Sequence, residues 1–342
     1  MHFASDNTAP VAPEVMAALV AANDGHQASY GADTLMALAR DRIRAAFDAP
    51  EAAVYLVATG TAANALAVSL FCPPWGAVFC HRHAHINEDE CGAPEFYSGG
   101  AKLVPVVGEH GRMTPDTLRE AFARTGGSGV HGVQRALLSL TNVTEAGTTY
   151  TASEVAALTA VAHAHGLACH MDGARFANAL IATGASPAEM TWKAGIDVLS
   201  FGGTKNGLMG GEAVVIFDPA KAWEFELRRK RAGHLFSKHR FLSAQMAAYL
   251  EDGLWFRLAA QANRMGARLG AGIAALPGAG LLHPVQANIV FAHWPKDGHA
   301  QARAAGAAYY DGSGPPEGSA RLVTSWCTTE AEVDRFLSLI AG

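Results

Sequence analysis

Short apolar runs separated by amphipathic stretches set the pattern of this chain. Runs at 54–58, 77–80, 102–106, 136–140, 168–171, 198–201 and 213–217 are four or five residues long. Such runs predict strands buried on both faces. Helical periodicity falls between several of them, at 61–71, 115–123, 153–165 and 174–181. This alternation predicts an α/β fold with a seven-stranded, mostly parallel sheet covered by helices on both faces. The last two runs are joined by a loop too short for a parallel crossover, which takes about a dozen residues, so that pair is predicted antiparallel. Ligands of such sheets sit outside the carboxyl ends of the strands.

Helices are predicted upstream at 13–22 and 34–47, the second with Leu35, Leu38, Ile43 and Phe47 on or near one face. After Asp218-Pro219 the pattern changes. A helix at 222–231 ends in Arg228, Arg229, Lys230 and Arg231, and a second basic stretch, Lys238-His239-Arg240, follows. Long helices are predicted over about 241–276, turns over 278–285, strands at 288–293 and 321–325, and a final helix at 330–340. The expected organisation is a large ligand-binding domain over residues 1–240, including the N-terminal segment, and a small C-terminal α/β domain over 241–342.

Composition narrows the function classes. Half of the 342 residues are hydrophobic and 17% are charged, which supports a sizeable core. A net charge of −5, with no basic run that looks like a phosphate-backbone tract, argues against a nucleic-acid partner. No run approaches the roughly 18 apolar residues of a membrane span. The first residues, Met1-His2-Phe3-Ala4-Ser5, lack the basic and apolar regions of a signal peptide. The five cysteines (Cys72, Cys80, Cys91, Cys169 and Cys327) show no CxxC spacing and read as reduced, mostly buried thiols of a cytoplasmic protein.

Candidate chemistry collects at the predicted strand ends. Lys205 follows the run 198–201 within Ser200-Phe201-Gly202-Gly203-Thr204-Lys205-Asn206-Gly207. A lysine held among apolar neighbours loses its proton more readily and becomes a nucleophilic amine. The glycines let the backbone turn and a flat molecule approach. Asp172 ends the run 168–171 within Asp172-Gly173-Ala174-Arg175. A Schiff-base lysine, with an Asp to keep a pyridine nitrogen protonated, is the pair that pyridoxal phosphate (PLP) requires. Thr59-Gly60-Thr61-Ala62-Ala63-Asn64 opens a helix whose free N–H groups and dipole suit a phosphate. Arg175 offers a cation to a substrate carboxylate or to the cofactor's phenolic oxygen. Arg321 offers a planar fork suited to a carboxylate. A surface turn, a helix cap and a strand-start ion pair are the bland alternatives for Lys205, Asp172 and Arg321 respectively. His81, His83 and His85 alternate as metal ligands on a strand would. No Cys or carboxylate sits beside them at zinc-motif spacing, so no metal is expected. His85, farthest past the strand, is best placed to stack on a cofactor ring.

Together these residues resemble the L-threonine aldolases, a family of aspartate-aminotransferase-type (fold type I) PLP enzymes. The likeness runs through Ser5-Asp6-Asn7, Tyr30-Gly31-Ala32-Asp33, the Thr59–Asn64 segment, Ala84-His85 with Glu90, Asp172-Gly173-Ala174-Arg175, Thr204-Lys205-Asn206-Gly207 and Arg321-Leu322-Val323-Thr324. The resemblance implies that Lys205 carries PLP, Asp172 pairs with the ring nitrogen, and His85 stacks on the ring and shares in proton transfer. It implies that Gly60 and Thr61 hold the phosphate, and that Ser5, Arg175 and Arg321 hold the substrate carboxylate. A homotetramer with shared sites is implied, with Tyr30 and a basic residue (Lys230 first, Lys238 next) reaching a neighbour's cofactor and substrate. The implied reaction is reversible cleavage of L-threonine, L-allo-threonine and related β-hydroxy-α-amino acids to glycine and an aldehyde. A phenylserine-selective aldolase, another fold type I lyase or transaminase, and a non-catalytic PLP-fold protein are the alternatives. One departure stands out. Many relatives carry a second active-site histidine where Thr144 stands here, in Asn142-Val143-Thr144-Glu145, and the segment resembles a bacterial branch with Thr-Glu in this place. His85, a water or Glu145 is then left to take the β-hydroxyl proton.

Overall fold

The computed structural model describes residues 1–312 and 316–341. Seven strands form the main sheet: β1 (Ala53–Val57), β2 (Gly76–His81), β3 (Lys102–Val106), β4 (Gln134–Thr141), β5 (Ala168–Gly173), β6 (Val198–Gly202) and β7 (Glu212–Ile216). Their order is β1-β7-β6-β5-β4-β2-β3. Strands β2 to β6 pair in parallel, and β7 runs antiparallel to both β6 and β1. The expected antiparallel pair is therefore present, and the sheet is mostly parallel as the strand rhythm required. Strands β1, β2, β6 and β7 are buried along their whole length, which is why they read as unbroken apolar runs. Strand β3 pairs with β2 alone and is partly exposed, and it carries Pro105, a residue an edge strand tolerates.

A second, antiparallel sheet of β8 (Gly280–Leu281), β9 (Ile289–His293), β10 (Tyr310–Asp311) and β11 (Ser319–Val323) has the order β10-β11-β9-β8. The N-terminal segment is stitched to it. Phe3 N–H donates to Ala308 O at 2.7 Å, and Val323 N–H donates to Phe3 O at 2.7 Å. This anchoring carries Ser5 and Asp6 towards the main sheet.

Of five hydrophobic clusters among the described residues, the two largest follow the two sheets. The first joins the sheet to flanking helices through Phe47, Phe79, Phe176, Phe201, Tyr249 and Trp255. The second gathers Phe3, Met265, Trp294 and Phe336 around the small sheet. The cores change over inside the helix Leu254–Ala274, with Leu258 and Ala259 in the first and Met265 in the second. Residue 240, where the division is expected, opens the helix Arg240–Leu250, whose Leu242, Met246 and Tyr249 still pack into the first core. Phe201, next to the end of β6, packs edge-on against Phe47 (5.5 Å) and Trp255 (5.3 Å). Burying such a ring stabilises by about 2–3 kcal/mol, so the strand end that precedes Lys205 is firmly held. His170, on β5, is fully buried between Ser139 Oγ (2.9 Å) and Ser200 Oγ (3.0 Å), and burial pushes it down to about 4, which keeps it neutral. No helix among the described residues is long and apolar enough to cross a membrane.

Among the helices that local periodicity does not anticipate are Ala93–Ser98 and Lys296–Ala304. The second is polar and carries Gly298, which reads as a turn. The glycine is there because a Cβ would sit 2.8 Å from Ile340 O, so close helix–helix packing explains it rather than a bend.

Candidate active site

The carboxyl ends of β1, β2, β4, β5 and β6 point the same way, and the chain leaving them builds one cavity of about 310 Å³. Gly60, Thr61, Asn64, His85, Glu90, Glu145, Asp172, Lys205 and Glu212 are among its lining residues. Lys205 sits in a single 3-10 turn, Thr204–Asn206, directly after β6. Asn206 pins that turn to the helical layer by donating from Nδ2 to Tyr249 OH (2.7 Å) and Trp255 O (2.9 Å). The loop glycines act differently from the expected sharp turn. Gly202 and Gly203 lack positive φ; a Cβ on them would lie 2.4 Å from Ala174 O and 2.3 Å from Leu208 Cδ1. Only Gly207, at φ +101°, uses the left-handed region.

Asp172, buried at the end of β5, accepts from Ala174 N–H (3.0 Å) and from Asn64 Nδ2 (2.9 Å). The same Asn64 amide donates to Glu90 Oε1 at 2.8 Å, and His85 Nδ1 lies 2.8 Å from that oxygen. A polar chain therefore runs from Asp172 through Asn64 and Glu90 to His85. The bond to Glu90 raises His85 above the ordinary histidine range, against the pull of burial. Burial raises Glu90, partly offset by hydrogen bonds from His85 and Asn64.

Strand β1 leads through Ala58 and Thr59 into the helix Gly60–Phe71. Thr59 caps that helix by accepting Ala62 N–H at 3.2 Å, leaving the first N–H groups, at Gly60 and Thr61, facing the cavity. A Cβ on Gly60 would meet nothing within 4 Å, so its hydrogen leaves open space for an anion at the helix start.

The carboxylate-binding group takes a different form from the expected one. Arg175 is buried and forks onto Asp6, with Nε to Oδ2 at 2.7 Å and Nη2 to Oδ1 at 2.8 Å. Burial alone would raise the Asp6 carboxyl, but the guanidinium outweighs it and holds the group below its usual value. Asn288 Nδ2 adds a third bond to Asp6 at 3.1 Å. Most of Arg175's fork is therefore already committed. Among the described residues, the hydrogen bond that Arg321, on β11, donates is a long one of 3.4 Å to Ala4 O, and burial together with the nearby Arg175 lowers its proton affinity. Ser5 lies one residue before Asp6, where its Oγ caps a short 3-10 turn by accepting Asn7 N–H at 3.2 Å.

The remaining expected residues separate. Tyr30 is half exposed, and the Lys230 ammonium lies 4.9 Å from its ring centroid; neither lines the Lys205 cavity. Lys238 is exposed. The histidine pattern does not form one strand face, because β2 ends at His81 and His85 opens a short helix. His81 is buried rather than a loop-surface residue, with Nε2 3.1 Å from Gly108 O, while His83 Nδ1 lies 3.0 Å from Glu88. Thr144 is buried and bonded to Thr148 Oγ1 at 2.8 Å, so the cavity lining from that loop is Glu145. Asp6, Asn64 and Glu90 lie inside the sequence motifs without a role assigned to them, and Glu212 lies outside every motif.

Comparison with known proteins agrees with this architecture. The family model for beta-eliminating lyases matches residues 2–296. A low-specificity L-threonine aldolase from a Pseudomonas species is 44% identical over 97% of this chain and 94% of that protein. One from Pseudomonas aeruginosa is 42% identical over 100% of this chain and 98% of the relative. The solved threonine aldolase of Leishmania major superposes with a TM-score of 0.93 at 31% identity, covering 99% of this chain and 98% of that one. With likeness of this extent in sequence and fold, the chain belongs to the beta-eliminating lyase family, on its low-specificity L-threonine aldolase branch.

Proposed function

We propose that this protein is a PLP-dependent aldolase that reversibly cleaves L-threonine, L-allo-threonine and related β-hydroxy-α-amino acids to glycine and an aldehyde. The observation that carries the reading is the cavity in which Lys205, Asp172 and the start of the Gly60 helix meet. The residues there fit PLP. An open helix N-terminus next to a glycine suits the phosphate, and a buried carboxylate held by Asn64 suits a protonated ring nitrogen. When bound, PLP supplies an electron sink for the bond broken at Cα.

Lys205 would carry the cofactor, and the Asp172 carboxylate would face its ring nitrogen. Gly60 and Thr61 donate backbone N–H to the phosphate. His85 covers one face of the ring, with its orientation fixed by Glu90. Arg321 takes the substrate carboxylate, Arg175 lends positive field beside it, and Ser5 offers its hydroxyl. Anchoring the carboxylate would orient the substrate so that Cα–Cβ is the bond presented for cleavage. Thr144 is withdrawn from the cavity, so His85 and Glu145 are the side chains available to take the β-hydroxyl proton. The charge of Glu145 reaches His85, Arg175 and Arg321, which supports its facing the substrate.

Tyr30 and Lys230 serve a neighbouring subunit's site in a homotetramer. Their pairing away from their own chain's cavity supports this, as does the exposure of Trp223, Leu227 and Phe96 on the same molecule. The large domain over residues 1–240 then holds the cofactor, and the small domain over 241–342 contributes Arg321. Five free cysteines support a reducing, cytoplasmic setting.

Product analysis tests the reaction. The PLP-loaded protein given L-threonine should release acetaldehyde and glycine in equal amounts. Release of 2-oxobutanoate with ammonia would instead make it an eliminating lyase and end the aldolase reading. Arg321→Leu should raise KM for L-threonine about 10- to 100-fold with a much smaller change in kcat, since it removes one charge-assisted contact made by substrate and transition state alike. Steady-state kinetics would check this, and an unchanged KM would remove Arg321 from carboxylate binding.

A further inference from the structure

Glu212 is a buried carboxylate that the reaction above does not use. It is the first residue of β7, in register between Val57 of β1 and Gly202 of β6, at the end of the sheet where Lys205 sits. Its Oε2 accepts the N–H of Gly203 at 2.8 Å, and both Glu212 and Thr204 line the cavity that holds Lys205. Gly203 and Thr204 are the two residues immediately before Lys205. A buried carboxylate is costly unless a cation or several donors hold it. Among the described residues, the cation within electrostatic reach of Glu212 is Lys205.

We propose that Glu212 is the positioning residue and counter-charge of Lys205: it holds the peptide N–H of Gly203 at the start of the lysine turn, and its ionisation sets the proton affinity of the lysine amine. Glu212 has this role towards PLP only if Lys205 is the cofactor lysine, as proposed above. The groups around it are few. Thr204 and Lys205 face it from the loop, and the phenol of Tyr249, from the helix Arg240–Leu250, feels its charge. Asp6, from the N-terminal segment, also feels Lys205. Asp172, from β5, and His85, Glu90 and Glu145 share the cavity lining. Burial pushes the Glu212 carboxyl up to about 7, against the hydrogen bonds of Thr204 and Gly203 and the attraction of Lys205. The field that Lys205 feels is therefore switched near neutral pH. With Glu212 ionised the ammonium is favoured; with Glu212 protonated the amine gives up its proton more readily.

The test is the pH profile of Lys205 acylation by acetic anhydride in the PLP-free protein, read by peptide mass spectrometry. Glu212→Gln should move the apparent titration of Lys205 down by about one unit, equivalent to acylation about 10-fold faster at a fixed pH above about 7, where wild-type Glu212 is ionised, and below the titration of the lysine itself. In the PLP-loaded protein, the pH transition of the cofactor's visible absorbance should move in the same direction. A glutamine variant that folds and binds PLP with both profiles unmoved would overturn the proposal, because a purely structural role leaves them in place. If the glutamine variant does not fold, the wild-type profile decides. Coupling to a carboxylate titrating near about 7 predicts a second inflection there, and a single-step curve would overturn the proposal. Failure to take up PLP would instead overturn the cofactor reading and leave the acylation profile to be judged alone.

Discussion

Replacing Lys205 with alanine should abolish threonine cleavage, lowering kcat by about 10⁴-fold or more, and should leave no cofactor that borohydride can fix to the protein. The fold should survive. Lys205 is only partly buried, in a one-turn segment held by Asn206, Gly203 and Thr204 rather than by the lysine itself. The loss would then be chemical, since no other amine is among the cavity-lining side chains. Peptide mapping after borohydride reduction, with kinetics on the same samples, checks both halves. A K205A protein that retained turnover within tenfold would show that another group does the lysine's work.

The second large effect belongs to Asp172. Asp172→Asn keeps the size of the side chain and removes its charge, and kcat should fall about 10³-fold, the order seen when a preorganised electrostatic contact to a transition state is deleted. Both carboxylate oxygens accept hydrogen bonds, from Ala174 N–H and Asn64 Nδ2. An asparagine must turn its own N–H₂ towards one of these donors, so the variant also loosens the chain from Asn64 through Glu90 to His85. Cofactor affinity should weaken along with turnover. Kinetics at saturating PLP separate the two losses, and activity within tenfold of wild type would mean that the ring nitrogen does not depend on this carboxylate.

What the sequence made legible follows from the range of the interactions involved. Lys205 and Asp172 were readable because each ends an apolar strand, and β3 and the helix Ala222–Arg231 were readable from local periodicity alone. The Asp6–Arg175 pair was not, because its partners are 169 residues apart and each looks like an ordinary terminal or cap residue. Asn64 meets Asp172 across 108 residues. Glu212 reads as one more polar residue at a strand start; only the closeness of β6 and β7 puts it under the lysine loop. Thr144 was singled out by comparison with relatives that have histidine, yet its side chain turns inward to Thr148 and leaves Glu145 at the cavity. Chemistry carried by one residue at a strand end survives in sequence. Chemistry shared between distant buried residues does not.

The most direct test of the central claim is an absorbance spectrum of the purified protein incubated with PLP, recorded before and after adding glycine. Joining of PLP to Lys205 predicts a visible band that glycine replaces with one at longer wavelength. A protein that stays colourless after incubation with PLP would contradict the cofactor assignment, and the aldolase reading would fall with it.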